Sequence, residues 1–366
     1  MNEQITALVT GVAPLSLGEA IVDNLHKQQP TATIITVDQR RNPALESRLG
    51  DHGAAIELDL NPLHYGSGAE GFSFFAAQLR RELVNALSHF ERDEMRSDGI
   101  TFLFNNAGVY GFGPLVDTTY ETIADLAGVN YLGQLLTAQT VMILNKELGG
   151  VNFNSQRFRL CKVGSFQGIN LRAGRPVYAP SKAIGLDIAQ TLALGHETKT
   201  VIYLAVGPID THMLHYNLWN KAGGEDDFVR GLYARDIDSY RAVFVNGNEQ
   251  AFRRITEDYP QPQRDEHLAM YSRYVALKEQ YAQTAEFATE SADDIGRDVV
   301  ARMIEPDCTS GILVFDKQWD GKNYVRRVAH RAFDPEVPGA YNKFTTIVNG
   351  VTWQELPPNG TPQSRH

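Results

Sequence analysis

The sequence has little cysteine. Only Cys161 and Cys308 occur among 366 residues, far apart and without a CxxC pattern, which excludes a disulfide framework and a thiolate metal site. Apolar runs long enough to span a bilayer are also lacking, and no basic start precedes an apolar stretch at the N-terminus. We therefore expect no membrane partner and no signal peptide, with the cytoplasm as the default location.

A basic surplus is missing as well. The chain has 34 Lys and Arg against 44 Asp and Glu, a formal net charge of -10, and no block or stripe of like charge. A nucleic-acid partner is therefore not expected. His212 and His215 are three residues apart, but without a third ligand nearby they are better interpreted as pocket or surface histidines than as a metal site. No metal is expected.

Short apolar segments alternate with helical patterns along most of the chain. The predicted strands are ITALVTG, TATIITVD, AAIELDL, ITFLFNNAG, FRLCKVGS, TVIYLAVGP and GILVFDK, and helix candidates lie at 69–96, 118–148 and 178–197. Nearly continuous apolar strands suit a parallel sheet covered on both faces. The alternation predicts an α/β fold: a Rossmann-type, doubly wound parallel sheet of about seven strands with helices on both faces.

Two segments depart from this alternation. Residues 212–285 separate the sixth predicted strand from the last, and a connection of that length is typical of a lid or binding element. After the last strand, the Asp320-Gly321 and Asn349-Gly350 pairs are hairpin signals. We therefore expect a Rossmann domain over residues 1–330 with an inserted substrate-lid segment at 212–285. A C-terminal extension with a hairpin follows at 331–366.

The loop after the first strand, "TGVAPLSLGEAI", gives the first chemical signal. Gly11 and Gly18 leave backbone amides open at a helix N-terminus, where the helix dipole favours a pyrophosphate. Taken alone the signal is weak, because glycine turns between strand and helix are common for steric reasons.

Polar residues at the ends of the next strands strengthen the evidence for a dinucleotide site. Asp38 ends the second strand, where a carboxylate can accept hydrogen bonds from an adenosine ribose. Asp59 closes the third strand, where its side chain can meet the adenine, and "NNAG" (Asn105 to Gly108) closes the fourth. Three such endings along one sheet edge predict a dinucleotide-binding crevice.

The acid at Asp38 also bears on which dinucleotide binds. A 2'-phosphate beside a carboxylate would meet like-charge repulsion, so Asp38 favours NAD. Arg40 and Arg41 follow closely and could turn inward to accept that phosphate. NAD is therefore the expected cofactor, and NADP stays open.

A tyrosine and a lysine follow Ser165, which ends the fifth strand. Tyr178 lies 13 residues after Ser165, and Lys182 lies one helical turn later on the same helix face. A free phenol, with a pKa of about 10, is a poor base near neutrality, but a neighbouring ammonium, and a positive nicotinamide ring if one is bound, lower that pKa. Tyr178 can then move a proton to or from an alcohol or carbonyl while a nicotinamide cofactor exchanges hydride. A half-buried Tyr beside a surface Lys would explain the YxxxK spacing alone, but not the serine and glycine loop with it.

Together these motifs resemble the short-chain dehydrogenase/reductase family, in its compact single-domain branch. The residues that carry the resemblance are Thr10-Gly11 to Gly18, Asp59, Asn105 to Gly108, Asn130 in "VNYLG", Ser165, and Tyr178-x-x-Ser181-Lys182. It runs from about Ile5 to Asp316, interrupted by 212–285. It implies an NAD(P)-dependent oxidoreductase that interconverts a secondary alcohol and a ketone, and a homodimer or homotetramer associated through the helices bearing Asn130 and Tyr178.

The resemblance also implies roles for single residues. Tyr178 would be the general acid/base, Ser165 would hydrogen-bond the reacting oxygen, and Asn130 would position a water that relays protons to Lys182. Lys182 would hold the nicotinamide ribose and lower the pKa of Tyr178. The motifs and the resemblance together give as candidate cofactor-binding residues Gly11, Ser16, Leu17, Gly18, Asp38, Asp59, Leu60, Asn106, Ala107, Gly108, Tyr178, Lys182, Gly207, Ile209 and Thr211.

The sequence departs from the family pattern in places. The glycine loop is one residue longer than usual, with Leu15 or Ser16 in the place of the middle glycine, and Val206 replaces a proline. Ser16 can offer a hydroxyl to a phosphate, as in the enoyl reductase branch, but that branch has its Tyr seven residues before its Lys, where this chain has Arg175. An enoyl reductase mechanism is therefore rejected. Two other classes stay open: a redox-neutral epimerase or lyase that uses bound NAD, and a nucleotide-binding module without turnover.

The substrate is constrained only by the expected pocket. Its walls would come from Phe166 and Gln167, from "VYGFGP", and from the aromatic 212–285 segment. Within that segment Met213, Leu214, Tyr216, Leu218 and Trp219 suggest a small molecule that is bulky and partly apolar. The same side chains can equally serve to pack the segment onto the sheet.

Overall fold

A computed structural model of the protein describes residues 5–90, 99–111, 113–149, 157–169, 174–195, 198–283, 290–319 and 324–333. The strands are β1 (Thr6–Thr10), β2 (Thr33–Asp38), β3 (Gly53–Glu57), β4 (Phe102–Asn105), β5 (Arg159–Val163), β6 (Thr200–Val206), β7 (Ile209–Asp210), β8 (Glu290–Ser291), β9 (Gly311–Trp319) and β10 (Tyr324–Ala332). The helices are α1 (Leu17–Gln28), α2 (Pro43–Leu49), α3 (Gly68–His89), α4 (Tyr120–Ala127), α5 (Gln134–Gly149), α6 (Tyr178–Leu194), α7 (His212–Lys221), α8 (Asp226–Arg235), α9 (Ile237–Tyr240), α10 (Glu249–Ile255), α11 (Gln261–Gln283) and α12 (Ala292–Ile304).

Eight strands form one sheet in the order β10-β9-β6-β5-β4-β1-β2-β3. Neighbouring strands from β3 to β9 run parallel, which confirms the predicted seven-stranded Rossmann-type sheet, and β10 adds an antiparallel edge strand. The pairing of β9 with β10 is the hairpin signalled by Asp320-Gly321, although these two residues themselves lie outside the described ranges. Asn349-Gly350 and the rest of the extension beyond Phe333 also lie outside them.

The central strands are buried along their whole length. Every residue of β1, β2, β5 and β6 is buried. One face of the sheet packs on α3, α5 and α6, and the other packs on α1, α2 and α12. The side chains on both faces of each strand are therefore buried, which explains why these strands are continuous apolar runs in the sequence.

The strand order reverses beside β1. Strands β2 and β3 extend the sheet on one side of β1, whereas β4, β5 and β6 extend it on the other. The connections that leave β1 and β4 therefore diverge at the carboxyl ends of these strands. This arrangement opens a crevice where ligands of doubly wound sheets bind.

Residues 212–283 form five α-helices, α7 to α11, and a π-helical turn, Arg241–Val245, with an apolar core of their own. This segment, the insert, buries several aromatic side chains completely, among them Trp219, Tyr240, Phe244, Phe252 and Tyr274. Leu218 belongs to the same core. Leu218 and Trp219 therefore pack within the insert rather than onto the sheet, whereas Met213 is 39% exposed.

Candidate active site

The glycine loop leaves β1 through two positions at which only glycine fits. Gly11 has a φ of 72°, and its N–H donates to the Val37 carbonyl at 2.8 Å. A Cβ on Gly18 would lie 2.1 Å from the Gly11 carbonyl oxygen. The N-terminus of α1 therefore approaches the strand end closely, as a site for a pyrophosphate requires.

The extra residue of this loop has a structural consequence. Leu15 has a φ of 56° and is the one non-glycine residue with a positive φ in the described part of the chain. Ser16 is the N-cap of α1: its Oγ accepts from the Glu19 N–H at 3.0 Å and donates to the Gly11 carbonyl at 3.2 Å. The middle position thus adopts a conformation that favours glycine, but Leu15 fills it.

The NNAG turn after β4 is tied to the glycine loop. Thr10 Oγ1 accepts the backbone N–H groups of Asn106 and Ala107 at 2.9 and 3.0 Å. Asn106 Nδ2 donates to the carbonyls of Thr10 and Gly11 at 3.0 and 2.8 Å. The two loops predicted to flank a cofactor therefore form one hydrogen-bonded unit.

Two of the candidate cofactor residues direct their side chains away from the crevice. Leu17 packs in the apolar cluster under α1, and Leu60 packs in the cluster on the opposite face of the sheet. Any contact that they make with a dinucleotide would therefore come from their backbone.

Asp38 lies at the end of β2 with its carboxylate beside the glycine loop. The residue is 9% exposed. Burial raises the pKa of Asp38, while hydrogen bonds from backbone N–H groups act in the lowering direction; these belong to Arg40, Ala13, Gln39 and Val12. The acid is therefore held at the sheet edge where an adenosine ribose would lie.

Asp59 and the arginines after Asp38 have partners of their own. The Asp59 carboxylate contacts His64 Nδ1 at 2.6 Å and accepts the Asn61 N–H at 2.9 Å. Arg41 forms an ion pair with Glu46, which directs its guanidinium toward α2. Of the two arginines that could accept a 2'-phosphate, Arg40 is thus the better placed.

Tyr178, Ser165 and Lys182 meet between β5 and α6. Tyr178 opens α6, and the Nζ of Lys182 lies 5.8 Å from the centroid of the Tyr178 ring. Ser165 follows β5, and its hydroxyl hydrogen-bonds the phenol. All three residues are buried, so they form one compact group at the floor of the crevice.

The pKa of Tyr178 differs from the sequence prediction. Burial raises it to about 12, although the Ser165 hydroxyl and the Arg175 charge act in the lowering direction. Burial also lowers the pKa of Lys182 to about 8. The prediction that the neighbouring ammonium brings the Tyr178 pKa below that of a free phenol is therefore wrong for the protein alone, because desolvation of the phenolate outweighs nearby charge.

Asn130 lies in a π-helical turn between α4 and α5, Gly128–Gly133. Its side chain accepts from the Val109 N–H and donates to the Val109 carbonyl, both at 2.9 Å. A Cβ on Gly108 would be 2.8 Å from Lys182 Nζ and 3.1 Å from Asn130 Oδ1. The side chains of Asn130 and Lys182 therefore both lie close to Gly108.

Tyr203, at the centre of β6, was not found by sequence reasoning. Its hydroxyl accepts the Ser165 N–H at 3.2 Å and donates to the Lys182 carbonyl at 2.9 Å. It therefore links β5 to α6 directly beneath the site. The only signal is one tyrosine within the aliphatic run "TVIYLAV".

Tyr110 and Arg175 were also missed as neighbours of Tyr178. The rings of Tyr110 and Tyr178 meet edge to face with centroids 4.8 Å apart. Arg175 Nε donates to the Tyr110 hydroxyl at 2.9 Å. Arg175 thereby reaches the site through the tyrosine of "VYGFGP".

The nicotinamide-side candidates lie at the end of β6. Gly207 follows this strand, and a Cβ there would meet nothing within 4 Å. Ile209 lies in β7, which pairs with β8, and Thr211 is the N-cap of α7. These residues therefore connect the sheet to the insert.

The two histidines of α7 make contacts within the protein. His212 Nδ1 lies 2.9 Å from the Tyr240 hydroxyl, and His215 lies 2.8 Å from Asp210 and 2.9 Å from the Tyr274 hydroxyl. Within the described ranges, no group of three His, Cys, Asp or Glu side chains is arranged to hold a metal ion.

Lys162 is a second buried lysine next to the site. It lies on β5, and its Nζ donates to Gln134 Oε1, while Gln134 Nε2 donates to the Ala107 carbonyl at 2.5 Å. Burial and the charge of Lys182 lower the pKa of Lys162 to about 7. The ammonium therefore supports the NNAG turn through one glutamine.

Replacing Lys162 by methionine should change how stability depends on pH. The folded pKa, about 7, is below the ordinary value of about 10.4, so charged Lys162 destabilises the fold below about pH 7. That cost disappears as the pH rises to about 10. The stability of Lys162→Met relative to the wild type should therefore be about 3–5 kcal/mol higher at about pH 6 than at about pH 10.

Urea unfolding at both pH values measures this effect. The orphaned Gln134 oxygen costs about 1–3 kcal/mol at every pH, so the change between the two pH values is the informative quantity. The exposed Lys146, replaced by methionine, is the control and should show no such change. A Lys162→Met difference that is constant with pH would contradict a charged Lys162 in the fold.

The residues of the crevice fit a dinucleotide. Gly11 and Gly18 leave a cradle that a Cβ would fill, the buried carboxylate of Asp38 borders it, and open space surrounds Gly207. Lys182 brings a cation to the other end. Polar groups for a ribose and amides for a pyrophosphate thus lie along one edge of the sheet.

A family model described as short chain dehydrogenase matches residues 5–221. The human 3-oxoacyl-[acyl-carrier-protein] reductase is 28% identical over 171 residues, which are 46% of this chain and 68% of that protein. Among solved structures, a variant of actinorhodin polyketide ketoreductase with NADPH has a TM-score of 0.54 at 16% identity, covering 84% of this chain and 93% of that chain. The 3-ketoacyl-(acyl-carrier-protein) reductase from Brucella melitensis complexed with NADH has a TM-score of 0.47 at 21% identity, over 58% of this chain and 79% of that chain.

The fold and the site thus define a Rossmann-type nucleotide-binding oxidoreductase. The family match extends over more than half of the sequence, so the chain belongs to the short-chain dehydrogenase family, as the motifs predicted. As a member of that family it is an NAD(P)-dependent oxidoreductase. The structural likeness to the ketoreductase supports the fold. No helix in the described ranges combines the length and apolarity needed to cross a membrane.

Proposed function

We propose that the protein interconverts a secondary alcohol and a ketone, with Tyr178 as the general acid/base. The observation that carries this proposal is the buried group of Tyr178, Ser165 and Lys182 at the carboxyl end of β5. A phenol and a hydroxyl beside one another can both hydrogen-bond a single carbonyl or alcohol oxygen.

The protonation state of Tyr178 suits proton donation. With a pKa of about 12, the phenol carries its proton near neutrality and can deliver it to a ketone oxygen. NAD(P)H, when bound, supplies the hydride for the carbonyl carbon. In the opposite direction, the proton of an alcohol passes to Tyr178, and a cation beside the phenolate favours that transfer.

Lys182 and Asn130 are proposed to supply the proton that Tyr178 gives away. The pKa of Lys182, about 8, lets its ammonium release a proton near neutrality. Lys182 Nζ and Asn130 Oδ1 both lie close to Gly108, which supports the proposal that a water relays protons between them. We also propose that Lys182 holds the nicotinamide ribose.

For the substrate we propose a ketone or alcohol that is bulky and partly apolar. Tyr110 packs its ring on Tyr178, Phe166 follows Ser165, and Met213 is partly exposed on α7. These side chains, with the insert as a lid, would form the pocket wall. The human relative is named for reduction of 3-oxoacyl groups, which makes a 3-oxoacyl thioester a reasonable member of a test panel.

NAD is the proposed cofactor because the buried Asp38 carboxylate lies at the expected ribose position. Replacing Asp38 by asparagine removes the charge and should raise the dissociation constant of NAD about 10-fold, because hydrogen bonds to a charged group are the stronger ones. NADP should bind the variant better than it binds the wild type, since like-charge repulsion is gone. Titration of both cofactors by fluorescence quenching measures the two changes.

Glu57→Gln is the matched control for this measurement. Glu57 lies beside Asp38 on the neighbouring strand and is exposed, so its replacement removes the same charge one strand away. Both dissociation constants should stay within about twofold of the wild type. Unchanged NAD binding in Asp38→Asn would remove Asp38 from the cofactor site.

The proposed reaction is tested by following nicotinamide absorbance. Purified protein is mixed with NADH or NADPH and a panel of bulky ketones and 3-oxoacyl thioesters, and with NAD or NADP and the matching alcohols. Net change in absorbance supports the oxidoreductase. Substrate conversion without net cofactor change would instead indicate an epimerase or lyase, and binding without any conversion would favour a nucleotide-binding module.

We further propose a homodimer or homotetramer formed through α5 and α6. Both helices carry exposed apolar side chains, Ile143 and Ile184. In a symmetric dimer of this kind, the same helices of the second copy would cover both side chains.

A further inference from the structure

The insert contacts the glycine loop directly through a tyrosine. Tyr233 lies on α8 and donates its hydroxyl to the Pro14 carbonyl at 2.5 Å. Its side chain is partly buried, and burial together with the neighbouring carboxylates of Asp38 and Glu19 raises its pKa. The ring therefore lies at the adenosine end of the crevice, next to the acid expected to hold the ribose.

A histidine reinforces this contact. The His212 N–H donates to the Leu15 carbonyl at 3.1 Å, and the His212 ring stacks on Tyr233 with centroids 3.6 Å apart. The Tyr240 hydroxyl lies 2.9 Å from His212 Nδ1. The first turn of α7 and the middle of α8 thus hydrogen-bond the loop at two successive carbonyls, those of Leu15 and Pro14 respectively.

Leu15 completes the connection from the loop side. Its left-handed backbone, with a φ of 56°, is unfavourable for a residue with a Cβ by about 1–2 kcal/mol. Its N–H donates to Glu19 at 2.7 Å, and its side chain packs against the apolar core of the insert. Packing against the insert therefore offsets the strain in the loop.

We propose that Tyr233 and His212 form a cofactor clamp, which holds the glycine loop in its dinucleotide-binding conformation and closes the adenosine-ribose end of the crevice. The inference rests on the proposed function, because it needs a dinucleotide in the crevice. It gives the insert a second task besides covering substrate: the clamp must open before the cofactor leaves. Release of cofactor is therefore coupled to movement of the insert.

Tyr233→Phe tests the clamp, because it removes one hydroxyl and keeps the ring that stacks on His212. Dissociation of NADH is followed by stopped-flow fluorescence after mixing with excess unlabelled NAD. Loss of one buried hydrogen bond at this contact should make dissociation about five- to tenfold faster. The dissociation constant of ADP-ribose, which lacks the nicotinamide, should rise by a similar factor because the clamp acts at the adenosine end.

Tyr271→Phe is the matched control. Its hydroxyl also donates to a backbone carbonyl, that of Val243 at 3.2 Å, but within the core of the insert. It should release NADH at the wild-type rate, and thermal melting of both variants verifies folding. Wild-type release rates in a folded Tyr233→Phe, or equal acceleration in both variants, would overturn the clamp alone. A wild-type protein that binds neither NADH nor ADP-ribose would overturn the clamp together with the proposed function.

Discussion

Replacing Tyr178 by phenylalanine should lower kcat for ketone reduction by about 1,000-fold or more. Only the phenolic oxygen is lost, and this oxygen is the proposed proton donor to the reacting carbonyl; general acid catalysis contributes about 10²–10⁴-fold in comparable cases. The buried ring and its contact with Tyr110 are kept. Steady-state kinetics with NADH and the best ketone of the panel measure the effect.

Cofactor binding separates a chemical role from a structural one. The dissociation constant of NADH for Tyr178→Phe should stay within about threefold of the wild type, because the ring still fills its place. Tyr110→Phe is the comparison variant, since it removes the phenolic oxygen of the neighbouring ring, whose centroid lies 4.8 Å from that of Tyr178. Turnover of Tyr178→Phe at more than about a tenth of the wild-type rate would assign the proton transfer to another group.

Replacing Gly18 by alanine should nearly abolish cofactor binding. The new Cβ would lie 2.1 Å from the Gly11 carbonyl oxygen and 2.7 Å from Asn106 Nδ2. Both neighbours belong to the unit that joins the glycine loop to the NNAG turn, so relief of the clash must displace that unit. We expect the dissociation constants of NAD and NADH to rise about 100-fold, and the fold to lose about 1–3 kcal/mol.

Gly231→Ala provides the control for an added methyl group. Gly231 is a helical glycine in α8, where the nearest atom to a new Cβ is at 3.8 Å, on the Arg235 side chain. That variant should bind cofactor normally and be slightly more stable, since alanine favours a helix. Normal NAD affinity in Gly18→Ala would show that the dinucleotide does not use the α1 N-terminus.

The sheet could be predicted because its strands are buried on both faces. Runs such as "ITALVTG" and "TVIYLAVGP" can be recognised as parallel strands from their own residues, without knowing which strands pair. Because parallel strands end at the same edge of a sheet, the polar residues that follow them lie together. One helical turn fixes the separation of Tyr178 and Lys182. That Ser165 meets them was expected from the family resemblance, because a loop of variable course lies between Ser165 and Tyr178.

The contacts between distant segments could not be predicted in this way. Tyr203 links Ser165 to Lys182, and Tyr233 reaches Pro14 across 219 positions of sequence. Neither tyrosine has a local spacing that marks it. The helices of the insert pack by side-chain complementarity around Trp219 and Phe244. A pattern of aromatic residues suggests such a core but does not predict how the helices are arranged in it.

The direction of the Tyr178 pKa shift shows a second limit of the sequence. Spacing places Lys182 one turn from Tyr178, and Coulomb attraction then predicts a lowered pKa. Burial, which spacing does not reveal, raises the Tyr178 pKa and lowers that of Lys182. Burial also lowers the pKa of Lys162 to about 7, although the segment "FRLCKVGS" gives no sign that its lysine is buried.

Transfer of deuterium from labelled cofactor is the decisive experiment for the proposed reaction. NADH or NADPH that carries deuterium at the transferable position of the nicotinamide is incubated with the protein and the best ketone of the panel, and the product is examined by mass spectrometry. We predict one deuterium on the carbon that bears the new hydroxyl, with stoichiometric oxidised cofactor and a rate that collapses in Tyr178→Phe. A converted product without deuterium, formed while the cofactor stays reduced, would contradict alcohol–ketone interconversion by this site.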